Sequence, residues 1–313
     1  MNVGDSMKMK KGMRALSLLL VAVIAGAMFV SAVSATDVQK IKEDKAPVVT
    51  ITDDEIREAV KGVIAEIENS DLDKKEKEEY IDELELIISN DPISMDKLEE
   101  ALQSAGEALF AQNPPVTPKW AGFIHSDMAR TAGKWMGLSD QECQVLYDHA
   151  DDPDGFGTYC IDHYALTGAP GESERLANLA RGQYSINNDL EGAEFLAYSM
   201  HYMTDMSVPF HYVYEYLANH QAYESYVSGQ WGSTSTQNFN QSVANNYYYY
   251  YITDVSDSAM NLATYSHQYM SYIRNTMDTY SNWQNDSTLN QYTRNCLVEG
   301  AKYNMGLVDY ATR

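Results

Sequence analysis

His201-Tyr202-Met203-Thr204-Asp205-Met206-Ser207-Val208-Pro209-Phe210-His211, followed by His220-Gln221-Ala222-Tyr223-Glu224, decides how this chain is read. On a helix, residues four apart share a face, so His201 and Asp205 project together, and His220 and Glu224 repeat the arrangement. Imidazole and carboxylate are ligands that zinc accepts readily, and an i, i+4 pair presents two at once. Pro209 cannot continue a helix. The first helix therefore ends before it, and His211 is free to face a different ion from His201. A lone His-x-x-x-Asp is commonly a surface pair. Two pairs with Pro-x-His between them, inside 24 residues, point to a metal centre.

Outward from this stretch the pattern is helical. Asn188-Asp189 can cap a helix from Leu190 to Met206, and Ser139-x-x-Glu142 is a capping box that opens a helix through Leu146. Met260, Leu262, Tyr265, Tyr269, Tyr272 and Ile273, and then Leu289, Tyr292, Leu297 and Ala301, recur at helical spacing. The run Tyr247 to Tyr251 carries no site by this reading. The expected class is all-α, a multi-helix domain over 120–313.

Before that domain lies Asn113-Pro114-Pro115-Val116-Thr117-Pro118-Lys119, an extended linker, because each proline fixes φ and disfavours helix before it. The acidic stretch 36–119 reads as three short amphipathic helices, the first capped at Thr52-Asp53-Asp54-Glu55. At the start, Lys8, Lys10, Lys11 and Arg14 precede an apolar run to Val33 and a small-residue end at Ser34-Ala35. That is the form of a secretory signal peptide, 1–35, with an uncleaved anchor as the alternative. Export to a secreted or cell-surface location follows.

The net charge of −23 divides into +3 for 1–35, −12 for 36–119 and −14 for 120–313. Such acidity argues against a broad basic surface for gripping phosphate. Cys143, Cys160 and Cys296 permit one bridge at most.

His201-Tyr-x-x-Asp205-x-x-x-Pro209-x-His211 with His220-x-x-x-Glu224 resembles the zinc-dependent phospholipase C family and its relatives, the secreted single-strand nucleases. Upstream, Trp120-Ala-Gly-Phe-Ile-His125 resembles the family's amino-terminal Trp and following His, and Ala150-Asp151 with His163-Tyr164 its next ligands. The resemblance runs from Trp120 to about Val227 and implies an all-α enzyme with three zinc ions in a cleft. By this likeness one ion takes Asp151, His163, His201 and Asp205, and a second His211, His220 and Glu224. The third takes His125, Asp205, and the amine and carbonyl of Trp120. Five of the seven histidines then have a metal role, all but His149 and His267. Asp151 sits in an acidic run, so Asp148 and Asp152 remain alternatives to it. A calcium loop lacks its glycine and glutamate there.

The mechanism implied is metal-assisted phosphoryl transfer, in which a zinc-bridging hydroxide attacks a phosphodiester in line and Asp151 orients or deprotonates the water. Zinc ions also explain how so acidic a chain handles phosphate, because bound cations invert the local field. A Trp120 amine can ligate only if a protease cuts after Lys119, which makes 36–119 a propeptide of a zymogen, or else an uncleaved stalk. For the substrate, Phe123 and Asp152 stand where the phospholipase branch meets a head group, and Tyr164 where the nuclease branch stacks a base. Leu166 replaces the nuclease branch's base-reading Asp. The reading favours a monomeric phospholipase C-like enzyme in transient contact with a membrane surface. A single-strand nuclease/3'-nucleotidase is the alternative, and a non-catalytic exported metal-binding protein the second.

Overall fold

Reciprocal capping boxes open three of the helices. In α1 (Asp53–Asn69) the Thr52 hydroxyl accepts from the Glu55 amide while Glu55 reaches back to the Thr52 amide. Asp73 and Glu76 do the same for α2 (Lys74–Ile88), and Ser139 and Glu142 for α5 (Asp140–His149). Each box satisfies amides that the first helical turn leaves without a partner. The computed structural model describes residues 41–43, 51–112, 122–155, 160–213, 218–232 and 234–313. The expected signal peptide, the linker 113–119 and Trp120 lie outside these residues.

The fold is all-α. With α3 (Met95–Gln112), the acidic segment forms the three helices its apolar spacing predicts, with Ile56, Val60, Val63 and Ile67 of α1 buried, as are Leu84 and Leu98. The remainder contains α4 (Phe123–Met136), α5, α6 (Ala169–Ser185), α7 (Asp189–Asp205), α8 (Ala218–Gly229), α9 (Phe239–Ala244), α10 (Val255–His267), α11 (Met270–Thr279) and α12 (Ser287–Thr312). Three tight 3-10 turns, Asp152–Gly155, Cys160–His163 and Ala165–Thr167, link α5 to α6. Asn188 flanks α7 as expected, but its side chain bonds Gln183 and Glu191 instead of capping an amide.

The tyrosine run holds a surprise for a helical reading. Tyr248–Tyr250 is a short strand, β2, paired in parallel with β1 (Ile41–Glu43), in register Ile41 to Tyr248 and Glu43 to Tyr250. Gly306 in α12 makes room for it, since a Cβ there would fall 2.4 Å from the Tyr250 carbonyl oxygen.

Helices α6 and α7 form an antiparallel pair, and α12 packs across both and across α4. From Leu196 to Asp205 every residue of α7 is buried. A helix buried all round has no solvated face, so Ser199, His201, Thr204 and Asp205 must find partners in the core. Asn304 of α12 donates to Thr204 Oγ1 at 2.9 Å, fixing the last turn of α7. Residues Lys40–Arg313 form one compact unit. Cys143 and Cys296 are buried free thiols. Among the described residues no helix is long and apolar enough to cross a membrane.

Candidate metal centre

The last turn of α7 delivers Asp205 to the middle of a histidine cluster. Its Oδ2 lies 2.7 Å from His163 Nδ1 and 3.3 Å from His201 Nε2, while its Oδ1 lies 3.6 Å from both His125 Nε2 and His211 Nδ1. One carboxylate thus faces four imidazoles from four parts of the chain. His125 comes from the first turn of α4, and its ring stacks on His201 with centroids 4.1 Å apart. His163 ends a 3-10 turn. His211 follows the turn made by Val208 and Pro209, where the Val208 amide donates to the Asp205 carbonyl and the His211 amide to the Val208 carbonyl.

His201 is oriented from behind. Its Nδ1 donates to the Ala150 carbonyl at 2.8 Å, which leaves the Nε2 lone pair facing Asp205 and His163. Such an outer hydrogen bond is how proteins set the tautomer of a metal-binding imidazole. Asp154 enters the same space, its Oδ1 3.8 Å from His201 Nε2. Asp154, His163 and His201 form one group able to hold a cation, and His125, His201 and Asp205 form another.

A third group is His211, His220 and Glu224. His211 Nε2 and His220 Nε2 are 3.0 Å apart, with Glu224 Oε1 at 3.2 and 3.1 Å from them. A neutral imidazole has one N–H, and a carboxylate has none. Both imidazoles can donate to Glu224, but that sets two N–H groups against each other at 3.0 Å, a conflict that a shared cation would remove. Phe210 stacks on His220 at 5.5 Å, and Tyr223, one residue before Glu224, donates to Thr293 Oγ1 at 3.0 Å, tying α8 to α12.

The electrostatics agree with ligand chemistry. Burial holds the His125 and His201 imidazoles below their ordinary value, so both favour the neutral form that ligates. Burial opposes ionisation of Asp205 and Glu224, but the surrounding imidazoles outweigh it: His201 and His163 hold Asp205 well below the usual range. His220 and His211 bring Glu224 to about 2. His163 is raised on balance, since Asp205 overcomes the effect of burial. His125 Nδ1, His211 Nδ1 and Glu224 Oε2 in this cluster, and Oδ1 of Asp151 beside it, have no hydrogen-bond partner. Buried polar atoms are rarely left so, and a set of acceptor-rich, orphaned groups fits divalent cations, zinc foremost given the nitrogen donors.

The expected ligands His125, His163, His201, Asp205, His211, His220 and Glu224 are therefore brought together. Asp151 lies outside the three groups, one of which includes Asp154, though Asp151 is within electrostatic reach of His125. Asp151 packs instead on Gly122, where a Cβ would fall 2.1 Å from the carboxyl carbon. Asp152 pairs with His149 at 2.7 Å on a partly exposed edge. Asp154 was not among the expected ligands, and the one signal for its place beside His163 and His201 was Pro153, whose fixed φ supports the tight turn that carries it there. Tyr164, read as a base-stacking candidate, is 4% exposed and its ring packs on His211 at 4.9 Å. Phe123 is 43% exposed at the start of α4, two residues from His125. His267 is a packing residue, its ring 4.7 Å from Tyr212.

No protein-family model and no curated protein matches the sequence. Among solved structures, alpha toxin from Clostridium absonum is similar at 15% identity and a TM-score of 0.41, covering 62% of this chain and 64% of that one. Clostridium perfringens alpha-toxin from an avian strain is similar at 14% identity and a TM-score of 0.39, with the same coverage. The chain thus spans less than two thirds of the length of either toxin. The likeness is slight.

Proposed function

We propose that this chain is an exported, zinc-dependent phosphoric ester hydrolase of phospholipase C type. The observation that carries the reading is the convergence of five histidines on Asp205 and Glu224 in a buried, acceptor-rich cluster. Asp154, His163, His201 and Asp205 would hold one zinc, and His211, His220 and Glu224 a second. His125 and Asp205 would share a third with the Trp120 amine and carbonyl, once a protease cuts after Lys119. Zinc in such sites supplies Lewis acidity towards phosphoryl oxygens and makes water acidic near neutral pH.

The chain's own residues do the rest. Asp205, an acceptor only, keeps four imidazoles in one orientation. The Ala150 carbonyl holds the His201 tautomer. Asp151, released from ligation by Asp154, has a buried Oδ1 with no hydrogen bond, and it is the group placed to orient or deprotonate an attacking water. Phe123 offers an exposed aromatic surface to a lipid head group, and Asp152 a partly exposed carboxylate. Burial of Tyr164 removes the base-stacking face that the nuclease alternative requires, and the scarcity of cations disfavours a long polyanion. We therefore place phospholipid, met in transient contact at a membrane surface by a monomer, ahead of nucleic acid.

Turnover of phosphatidylcholine and of single-stranded DNA, side by side with zinc analysis, on folded full-length chain cut after Lys119 tests this. The expected result is two or more zincs and faster lipid hydrolysis. Preference for DNA moves the assignment to the nuclease class. A protein inert to both, or holding fewer than two zincs, is a non-catalytic metal-binding protein.

A further inference from the structure

The acidic segment and the catalytic region share one hydrophobic core. Ile56, Val60, Ile67, Leu84, Leu98, Leu102 and Leu109 belong to the same continuous cluster of buried residues as Leu166, Met203, Tyr212 and Leu307. Three attachments join the two. Strand β1 pairs with β2. Helix α3 lies against the turns Cys160–His163 and Ala165–Thr167, with Glu107 within electrostatic reach of Asp162. Helix α1 faces α10 and α11 across a polar groove, where Glu55 is within reach of both His267 and Tyr212.

Two of these attachments meet backbone that carries ligands. The Ala165 amide donates to the His211 carbonyl at 2.8 Å and the Leu166 amide to the Tyr212 carbonyl at 3.1 Å. The turn that follows His163 is thereby strapped to the segment that holds His211. Helix α3 lies against that strap, and Glu55 of α1 is within reach of Tyr212 and of His267, whose ring packs on Tyr212. Ala165 and Leu166 are 4% and 3% exposed.

From this we infer that α1–α3 is a standing partner of the catalytic region, an internal scaffold for the His163–His211 strap, and not a cover that leaves. A cut after Lys119 then yields a two-chain protein in which the segment stays bound. Apolar packing holds it there; both parts are acidic, so charge does not. The physical ground is that departure would open a continuous core and expose the strap's buried face, a loss of the hydrophobic term that dominates such contacts. The inference concerns assembly and holds whichever ester is hydrolysed.

The test begins with folded, full-length chain cut within 113–119, by a Lys-specific protease or at a site engineered there. At micromolar concentration the two chains are expected to co-elute on a native sizing column and to part only in denaturant. Separation on the native column overturns the inference. Amide exchange adds a reading that needs no cut and no activity. In uncut protein, Leu109→Ala, in the helical turn that carries Glu107, is expected to speed exchange at the Ala165 and Leu166 amides by about tenfold while α12 amides stay unchanged. Equal exchange in parent and variant removes the scaffold role.

Discussion

Lys75–Glu79 in α2 and His201–Asp205 in α7 are the same device at the level of sequence, a basic and an acidic residue four apart on a helix. The Lys75–Glu79 pair, 3.1 Å apart, leaves its side chains 83% and 64% exposed. The His201–Asp205 pair, 3.3 Å apart, leaves 0% and 3%. Water screens the first and makes it worth little. The second is denied water and must be matched by neighbouring dipoles, charges or a cation. Spacing alone does not separate a solvated pair from a dry one; burial does.

The comparison breaks most visibly at Asp205. Asp205→Asn is expected to lower ester hydrolysis by more than about 10²-fold, the upper range for changes around but not at a metal. It should also cost at least one bound zinc, as read by metal analysis. Unchanged zinc and turnover would make the buried pair as idle as the surface one.

Next comes the division between two neighbouring carboxylates. Asp154→Asn should reduce zinc content, whereas Asp151→Asn should keep the zinc and lower kcat by about 10²–10⁴-fold, the range for general base catalysis. Asp151→Asn with both zinc and turnover intact would remove its proposed role, and loss of zinc there instead of at Asp154 would reverse the assignment.

A smaller effect concerns pH. His125 and His201 titrate below their ordinary value of 6.5 in the fold, so between that value and their folded ones the unfolded chain binds more protons. Their contribution to stability is therefore present above 6.5 and is lost as pH falls below it. Glu224 behaves alike further down, losing its contribution between its ordinary 4.5 and about 2. His163, raised in the fold, acts in the opposite direction and is outnumbered. Metal-free protein should accordingly unfold at a lower temperature at about pH 5 than at about pH 7, and scanning calorimetry would show it. A higher value at the acid end would mean that the imidazoles are not held neutral.

The smallest effect is at the surface pair itself. Lys75→Ala should leave the urea midpoint of unfolding unchanged, and a clear drop would mean that α2 relies on its exposed charges.

Much of this was legible in order. Helix starts at Thr52 and Ser139 were readable because a capping box is a local arrangement of four residues. The histidine–carboxylate pairs were readable because His201 with Asp205 and His220 with Glu224 are spaced so that a single helix dictates their geometry. Asp154 was not, because a loop's path depends on what it packs against, and an acidic run offers several carboxylates at similar distance. The burial of Tyr164 was not legible for the related reason that following a histidine in sequence says nothing about which side of a residue faces solvent. The strand at Tyr248–Tyr250 was missed because its partner, Ile41–Glu43, lies some two hundred residues away.

What the sequence by itself determined is thus everything carried by contacts within a few residues: the helices and their caps, and the histidine–carboxylate pairs. The tertiary structure alone decided which pairs are dry, which of the neighbouring aspartates joins the cluster, and that the acidic helices share a core with the strap between His163 and His211. Burial is the reason, since it is a property of the assembled chain, and it turns an ordinary i, i+4 pair into a site that calls for a cation.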